Sequence, residues 1–228
     1  MSQPKKYKAE VVSIINRVDN VYTIEFRSLS GPFKYLPGQF LHLALDEYDP
    51  SFGWPDSRCF SMQSSPSQEF LKITYSVKGI FTGRMVKELT NGKVVDLKLP
   101  YGELFQQKHS RHNVVFVAGG TGITPFLSVI TDPSFCEYVS PKLYLGVREK
   151  RFNLYDKELS LGKEINSTFE TNIIYQNIDG MIDINRICNQ NPETNYFISG
   201  PQGMISVFKS KLIKLGIKEN NVKTDEWQ

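Results

Sequence analysis

The chain has 228 residues, of which 40% are hydrophobic, 22% charged and 12% aromatic, and its net charge is +3. Those figures suit one large or two small globular domains, and the charge is too mild to argue for nucleic acid; at most it favours an acidic protein partner. No apolar run approaches the ~20 residues that span a bilayer, and the polar, basic residues after Met1 lack the apolar segment of a signal peptide, so a soluble, cytoplasmic protein is expected.

The first hundred residues alternate with a period near two. Segments 7–15, 21–28, 39–45, 70–77 and 94–100 read as strands. Turn signals separate them at Asp19-Asn20, Ser30-Gly31-Pro32, Pro37-Gly38 and Asn91-Gly92. Many short strands with such turns indicate a small antiparallel barrel. One helical stretch interrupts them near 83–89. The segment 57–66, SRCFSMQSSP, is extended and carries Arg58, Phe60, Ser61, Ser64 and Ser65. A guanidinium can clamp a phosphate, an aromatic face can stack on a flat ring, and hydroxyls can bond ring nitrogens. Alternation puts Arg58, Phe60 and Met62 on one side and Cys59 and Ser61 on the other. Serine-rich strand ends are also common without any ligand. Downstream, Gly79-Ile80-Phe81-Thr82 enters the helix with Thr82 as a cap, and its amides can meet a phosphate.

After a polar link at 106–113 the rhythm changes. Apolar runs at 114–118, 142–147, 172–176 and 196–199 look like buried parallel strands, with helical patterns at 123–131, 153–159 and 203–215. Strand–helix alternation of this kind means a parallel sheet with helices on its faces. The loop Gly119-Gly120-Thr121-Gly122 leads from a strand into a helix that opens on Pro125. It fits neither G-x-G-x-x-G nor a P-loop, yet its glycines allow a tight turn and close backbone approach. Ser199-Gly200-Pro201 repeats the pattern at a second strand end. Ligands of parallel sheets sit beyond the carboxyl ends of strands, so the two turns can face one crevice. Each is also readable as a plain strand–helix connection.

Cys59, Cys136 and Cys188 are too far apart for a zinc or iron–sulfur spacing, and His42, His109 and His112 make no ligand pattern. No metal site is expected, and the thiols read as reduced and mostly buried.

Taken in order, these segments resemble the ferredoxin–NADP reductase-like flavoprotein superfamily, from about residue 7 to the end of the chain. Arg58-Cys59-Phe60-Ser61 is similar to its R-x-Y/F-S motif, and Gly79 to Thr82 to its flavin-pyrophosphate segment. Pro100-Tyr101-Gly102 with Phe105 is similar to P-Y-G-x-F, Gly119 to Pro125 to G-G-T-G-I-T-P, and Ser199-Gly200-Pro201 with Met204 to C-G-P-x-x-M. The resemblance implies a two-domain β plus α/β fold. An antiparallel Greek-key β-barrel over 1–108 would bind FAD, and a Rossmann-like parallel sheet over 109–228 would bind NADH or NADPH. It implies that Phe60 packs on the isoalloxazine with Ser61 near N5. Arg58 and Thr82 would hold the pyrophosphate, with Cys59, Gly79 and Phe81 in the same site. Gly119, Gly120, Thr121, Gly122, Thr124, Pro125, Gly200 and Pro201 would take the nicotinamide nucleotide.

Three departures stand out. Phe60 replaces the commoner tyrosine. Ser199 replaces a cysteine that often sits beside the nicotinamide, so hydride transfer is expected to be retained but slower. The terminal TDEWQ stands where relatives often carry an acidic residue and an aromatic, so Asp225 and Trp227 either meet the flavin or anchor the tail. Ser61, Ser199 and Asp225 are thus the candidate catalytic residues.

A 2′-phosphate needs a positive cradle. Segment 172–180 has no Arg or Lys and contains Asp179, which tilts the expectation to NADH, although Arg148 can reach the nucleotide. The implied activity is an NAD(P)H-dependent flavoprotein reductase that passes electrons to a separate acceptor. That acceptor would be a ferredoxin-like or oxygenase component, or a small molecule. A free-flavin or ferric reductase, or a non-catalytic flavin-binding or assembly subunit, are the alternatives.

Overall fold

The computed structural model describes residues 3–189 and 191–225. The chain divides into two compact units between Glu103 and Leu104.

The first unit contains strands β1 (Lys5–Val18), β2 (Val21–Ser28), β3 (Phe40–Ala44), β4 (Ser57–Ser61), β5 (Leu71–Ser76) and β6 (Val94–Tyr101), with helix α1 (Ile80–Glu88) before β6. The strands pair antiparallel in the order β4-β3-β6-β1-β2-β5. Strand β6 returns between β1 and β3, the long connection a Greek key needs. Alternation decides which side chains face inward. Leu41 and Leu43 are fully buried while His42 between them faces out. Phe81, Met85 and Leu89, spaced four apart, lay α1 on this core. Each such burial contributes about 1.5–3 kcal/mol.

The expected barrel is barrel-like but open. Among the described residues its end strands, β4 and β5, form no ladder; the Gln63 N–H donates to the Lys72 carbonyl at 2.8 Å. Ser64 explains the break: its Oγ accepts from the Lys72 N–H at 2.9 Å, where a ladder would need a backbone carbonyl.

The second unit contains β7 (Val114–Gly119), α2 (Thr124–Ile130), β8 (Lys142–Val147), α3 (Asp156–Ile165), β9 (Glu170–Tyr175), the single turns α4 (Gln176–Asp179) and α5 (Ile184–Ile187), β10 (Asn195–Ser199), α6 (Gln202–Lys214) and β11 (Val222–Thr224). Its strands are all parallel in the order β11-β10-β7-β8-β9. Strand β7 lies in the middle, so the chain first builds outward through β8 and β9 and then crosses to β10. The topological switch therefore falls between β7 and β10, where a parallel sheet opens a crevice. Leu104 and Phe105 pack into this unit's core, with Phe105 stacked on Phe197 at 4.5 Å.

Helix α3 begins three residues later than its apolar pattern suggests. Asp156 and Glu158 stand in its first turn, where acidic groups meet the positive helix end. Strand β11 has no counterpart in the sequence reading, because three residues show no period. Among the described residues no helix is long and apolar enough to cross a membrane. The three cysteines are free; Cys59 and Cys188 are half-buried, and Cys136 is exposed in the short turn Pro133–Glu137, contrary to the expectation of mostly buried thiols.

Candidate functional site

In the first unit, β4 and α1 bring the predicted groups together. The Arg58 guanidinium lies 5.3 Å from the Phe81 ring centroid, at the start of α1. Its NH1 also donates to Asp56 Oδ1 at 2.7 Å and to the Ser57 carbonyl at 2.8 Å, so one edge of the fork is held in place. Thr82 Oγ1 accepts from the N–H groups of Lys78 and Gly79 at 2.9 and 3.2 Å and donates to the Gly79 carbonyl at 3.2 Å. The hydroxyl is thereby spent on shaping the entry to the helix. The first-turn amides of Ile80, Phe81 and Thr82 have no carbonyl four residues back within the helix, and they point from its positive end. A guanidinium over the Phe81 ring and the amides of the same helix turn, unpaired within the helix, are both groups of a kind that can meet a phosphate.

Phe60 is half-buried, edge-on to Tyr75 at 5.9 Å, with Ser61 next to it opposite Phe40. Cys59 is turned the other way, as alternation requires. Its Sγ lies 3.5 Å from His42 Nε2 on the outer face, so its side chain does not join Arg58 and Phe60. Burial pushes this thiol up, with Arg58 opposing, and burial together with Lys98 holds His42 below its usual range. Ser64 and Ser65 are fully buried: Ser64 Oγ pairs with the Tyr35 hydroxyl at 3.0 Å and Ser65 Oγ with Ser67 Oγ at 2.8 Å. Those hydroxyls serve the turn after β4 and are not offered to a ring.

In the second unit, the two glycine turns touch at the switch point. A Cβ on Gly122 would lie 2.6 Å from the Cα and N of Gly200 and from the carbonyl oxygen of Ser199. A Cβ on Gly119 would lie 2.9 Å from Pro201 Cδ and 3.0 Å from Met204 Sδ. Gly120 has φ +55, a left-handed conformation that favours glycine, and space beside it. Its loop winds as a 3₁₀ turn, Gly120–Ile123, into α2. Thr124 and Pro125 are buried, and the Thr124 hydroxyl donates to the Thr121 carbonyl at 2.9 Å, so both brace the loop from behind. Thr121 and Gly120 remain at its half-buried rim. Met204, part of the second glycine segment, packs its thioether against both turns.

At the end of β10, Ser199 Oγ donates to Asp225 Oδ2 at 3.0 Å, and the Asp225 N–H donates to the Ile198 carbonyl at 3.0 Å. Burial pushes the Asp225 carboxyl up to about 7, against the opposing pull of the Ser199 hydrogen bond. Sequence reading placed both residues but not their bond, because β11 was unseen. Trp227 lies outside the described residues. Arg148 is exposed at the end of β8, and its carbonyl accepts from the Asn177 N–H at 3.1 Å. The Asp179 carboxylate is turned back onto the Tyr175 N–H at 2.9 Å. Among the described residues no group of three or more His, Cys, Asp or Glu side chains can hold a metal ion.

No family profile matches the chain. Flavohemoprotein A of Dictyostelium discoideum is 21% identical over 226 residues, which cover 91% of this chain and 57% of that protein. Methane monooxygenase component C of Methylosinus trichosporium is 31% identical over 149 residues, covering 64% of this chain and 42% of that protein. The chain thus spans about half the length of the curated relatives it matches, or less. A solved ferredoxin NADP+ reductase from Neisseria gonorrhoeae, with bound FAD and NADP, has a TM-score of 0.78 at 15% identity and covers 99% of each chain. The fold is that of the ferredoxin–NADP reductase-like, FAD/NAD-binding proteins. Within that class the curated relatives are reductase components of oxygenases and flavohemoproteins.

Proposed function

We propose that the chain is an NAD(P)H-dependent flavoprotein reductase, with FAD on the first unit and NADH or NADPH on the second. The observation that carries this reading is the backbone contact of Gly122 with Gly200. It draws the two glycine turns together at the switch point and leaves Gly120, with open space beside it, at the rim where backbone groups can reach a nucleotide's phosphates.

Bound flavin supplies the hydride-accepting ring, which the protein lacks, and which it must hold and orient. Arg58 and the first-turn amides of α1 bind the flavin pyrophosphate. Phe60, its ring edge-on to Tyr75, presents an aromatic face to the flavin. Ser61, the last residue of β4, follows it with its side chain on the alternate face, so its hydroxyl meets the ring from around the strand end. Gly119, Gly120, Thr121 and Gly122 with Gly200 and Pro201 seat the nicotinamide nucleotide through backbone groups. Ser199 and Asp225 stand next to its reactive ring. The Asp225 carboxyl orients the Ser199 hydroxyl by accepting its proton in a hydrogen bond. Electrons leave to a separate acceptor, an oxygenase component or a ferredoxin-like protein, in keeping with the relatives named as reductase components.

Anaerobic titration of the flavin-loaded protein with NADH and with NADPH tests the reading. Bleaching of the oxidised flavin absorbance is expected. A protein that gains no flavin absorbance on adding FAD would overturn it.

A further inference from the structure

The edge strand β11 is three residues long, yet it carries a lysine, Lys223, that is only 5% exposed. Taking an ammonium out of water is costly unless protein oxygens replace its hydration. Lys223 Nζ donates to the Asn220 carbonyl at 2.7 Å and to Asn195 Oδ1 at 3.4 Å, and it stands 5.7 Å from the Phe197 ring centroid. Burial holds Lys223 below its usual range. Burial, with the charges of Lys223 and Arg111 adding to it, holds nearby His109 below its usual range, against the Gln107 carbonyl.

A three-residue parallel ladder does not specify its own register, since evenly spaced backbone bonds form equally well one step along. A slip of one residue is opposed by the burial of Val222 on the opposite face. A slip of two keeps every side chain on its proper face, so only particular side-chain bonds resist it. The observed register pairs Phe197 with Lys223 and Ile198 with Thr224. Lys223 and Asp225 share one face with Asn195, Phe197 and Ser199. One side-chain bond ties that face at each end: Lys223 to Asn195, and Asp225 to Ser199.

We propose that Lys223 is a positioning residue: its ammonium, held by Asn220 and Asn195, sets the register of β11 and so places the Asp225 carboxyl on Ser199. The functional consequence rests on the reading of Ser199 and Asp225 as the groups beside the nicotinamide, but the placement itself does not.

The test is carbon-13 NMR titration of the Asp225 carboxyl in the full chain, its signal assigned by its loss in Asp225→Asn. Lys223→Met keeps the apolar stem and removes the charge, whereas Lys223→Arg keeps the charge. The Asp225 titration midpoint is expected to fall by at least a unit in Lys223→Met and to return in Lys223→Arg. Loss of a through-space charge would move the carboxyl the other way, upward, so the direction separates position from field. Asn195→Ala, which removes one acceptor, should shift the midpoint down by less and serves if the Met variant does not fold. An unchanged or raised midpoint, even with a lowered melting temperature, would overturn the proposal. Flavin reduction by NADH is recorded separately in the wild type. Its absence would sink the reductase reading while the NMR result still decides the role of Lys223.

Discussion

Ser199 Oγ and Asp225 Oδ2 lie 3.0 Å apart, joined by a hydrogen bond between the last residue of β10 and the residue following β11. The partners come from strand ends 26 residues apart in sequence. Neither is informative alone: a serine closing a strand and an acid near a terminus are both ordinary. Their contact makes a hydroxyl whose direction depends on the protonation state of a shielded carboxyl.

That carboxyl gives the first prediction. Its folded value, about 7, lies above the roughly 3.9 of an unfolded aspartate. The folded state therefore binds the extra proton between those two values. The carboxyl's contribution to stability is complete below about pH 4 and is lost as pH rises through 7. Asp225→Asn, which never ionises, should melt at the same temperature as wild type at pH 4 and higher at pH 8. The gain should be about 2–4 °C for each kcal/mol relieved, measured by thermal unfolding at both values. An equal difference at the two pH values would show that Asp225 is not the titrating group.

Arg58 gives the second. A charge-assisted contact to phosphate is worth about 1.5–3 kcal/mol, so Arg58→Ala should weaken FAD binding roughly 10- to 150-fold by fluorescence titration. Arg58→Lys should fall between, because an ammonium lacks the planar fork that here keeps one edge on Asp56 and the Ser57 carbonyl. Unaltered affinity in both variants would place the pyrophosphate elsewhere.

Gly122 gives the third. The 2.6 Å approach is to backbone atoms of Ser199 and Gly200, which cannot swing aside as a flexible side chain can. Gly122→Ala must part the two loops. Displacement of about 1 Å at a reacting centre can cost on the order of 100-fold in rate. Stopped-flow reduction of bound flavin by NADH should slow by about that much, with FAD affinity unchanged because Arg58 and α1 belong to the other unit. Full activity in the alanine variant would remove these loops from the nucleotide site.

Much of this was legible in the chain itself, and the parts that were not share a cause. Val21–Ser28, Val94–Tyr101 and the apolar parallel strands show as periodic runs because one or both faces are buried. Gly122 was readable as a close-approach glycine, but what it approaches, Gly200, is set by the crossing from β9 to β10, which local pattern does not encode. Thr82 was readable as a cap; that capping consumes its hydroxyl follows only from the geometry of Lys78 and Gly79. Ser64 and Ser65 looked like ligand hydroxyls because a sequence does not distinguish a serine facing a crevice from one replacing a ladder bond. Strand β11 was missed since three residues with a buried lysine break every pattern rule, although tertiary contacts satisfy that ammonium.

Nucleotide choice gives the last prediction. A 2′-phosphate must be met by positive charge near the ends of β8 and β9, where the adenosine of a nicotinamide nucleotide is expected. The turn after β9, Gln176 to Gly180, contains no Arg or Lys, and the Asp179 carboxylate there is engaged by the Tyr175 N–H. Arg151 is paired with Glu149 at 2.7 Å. Arg148 is different: its backbone is tied to Asn177 while its side chain is exposed. NADH is therefore expected to be the faster donor, with residual NADPH activity resting on Arg148. Arg148→Ala should lower kcat/KM for NADPH about 10-fold or more, the value of one charge-assisted contact. It should leave kcat/KM for NADH nearly unchanged, as steady-state assays with both donors will read. An equal loss with both donors would assign Arg148 to the part of the nucleotide they share, and a wild-type preference for NADPH would show that its single guanidinium outweighs the missing cradle.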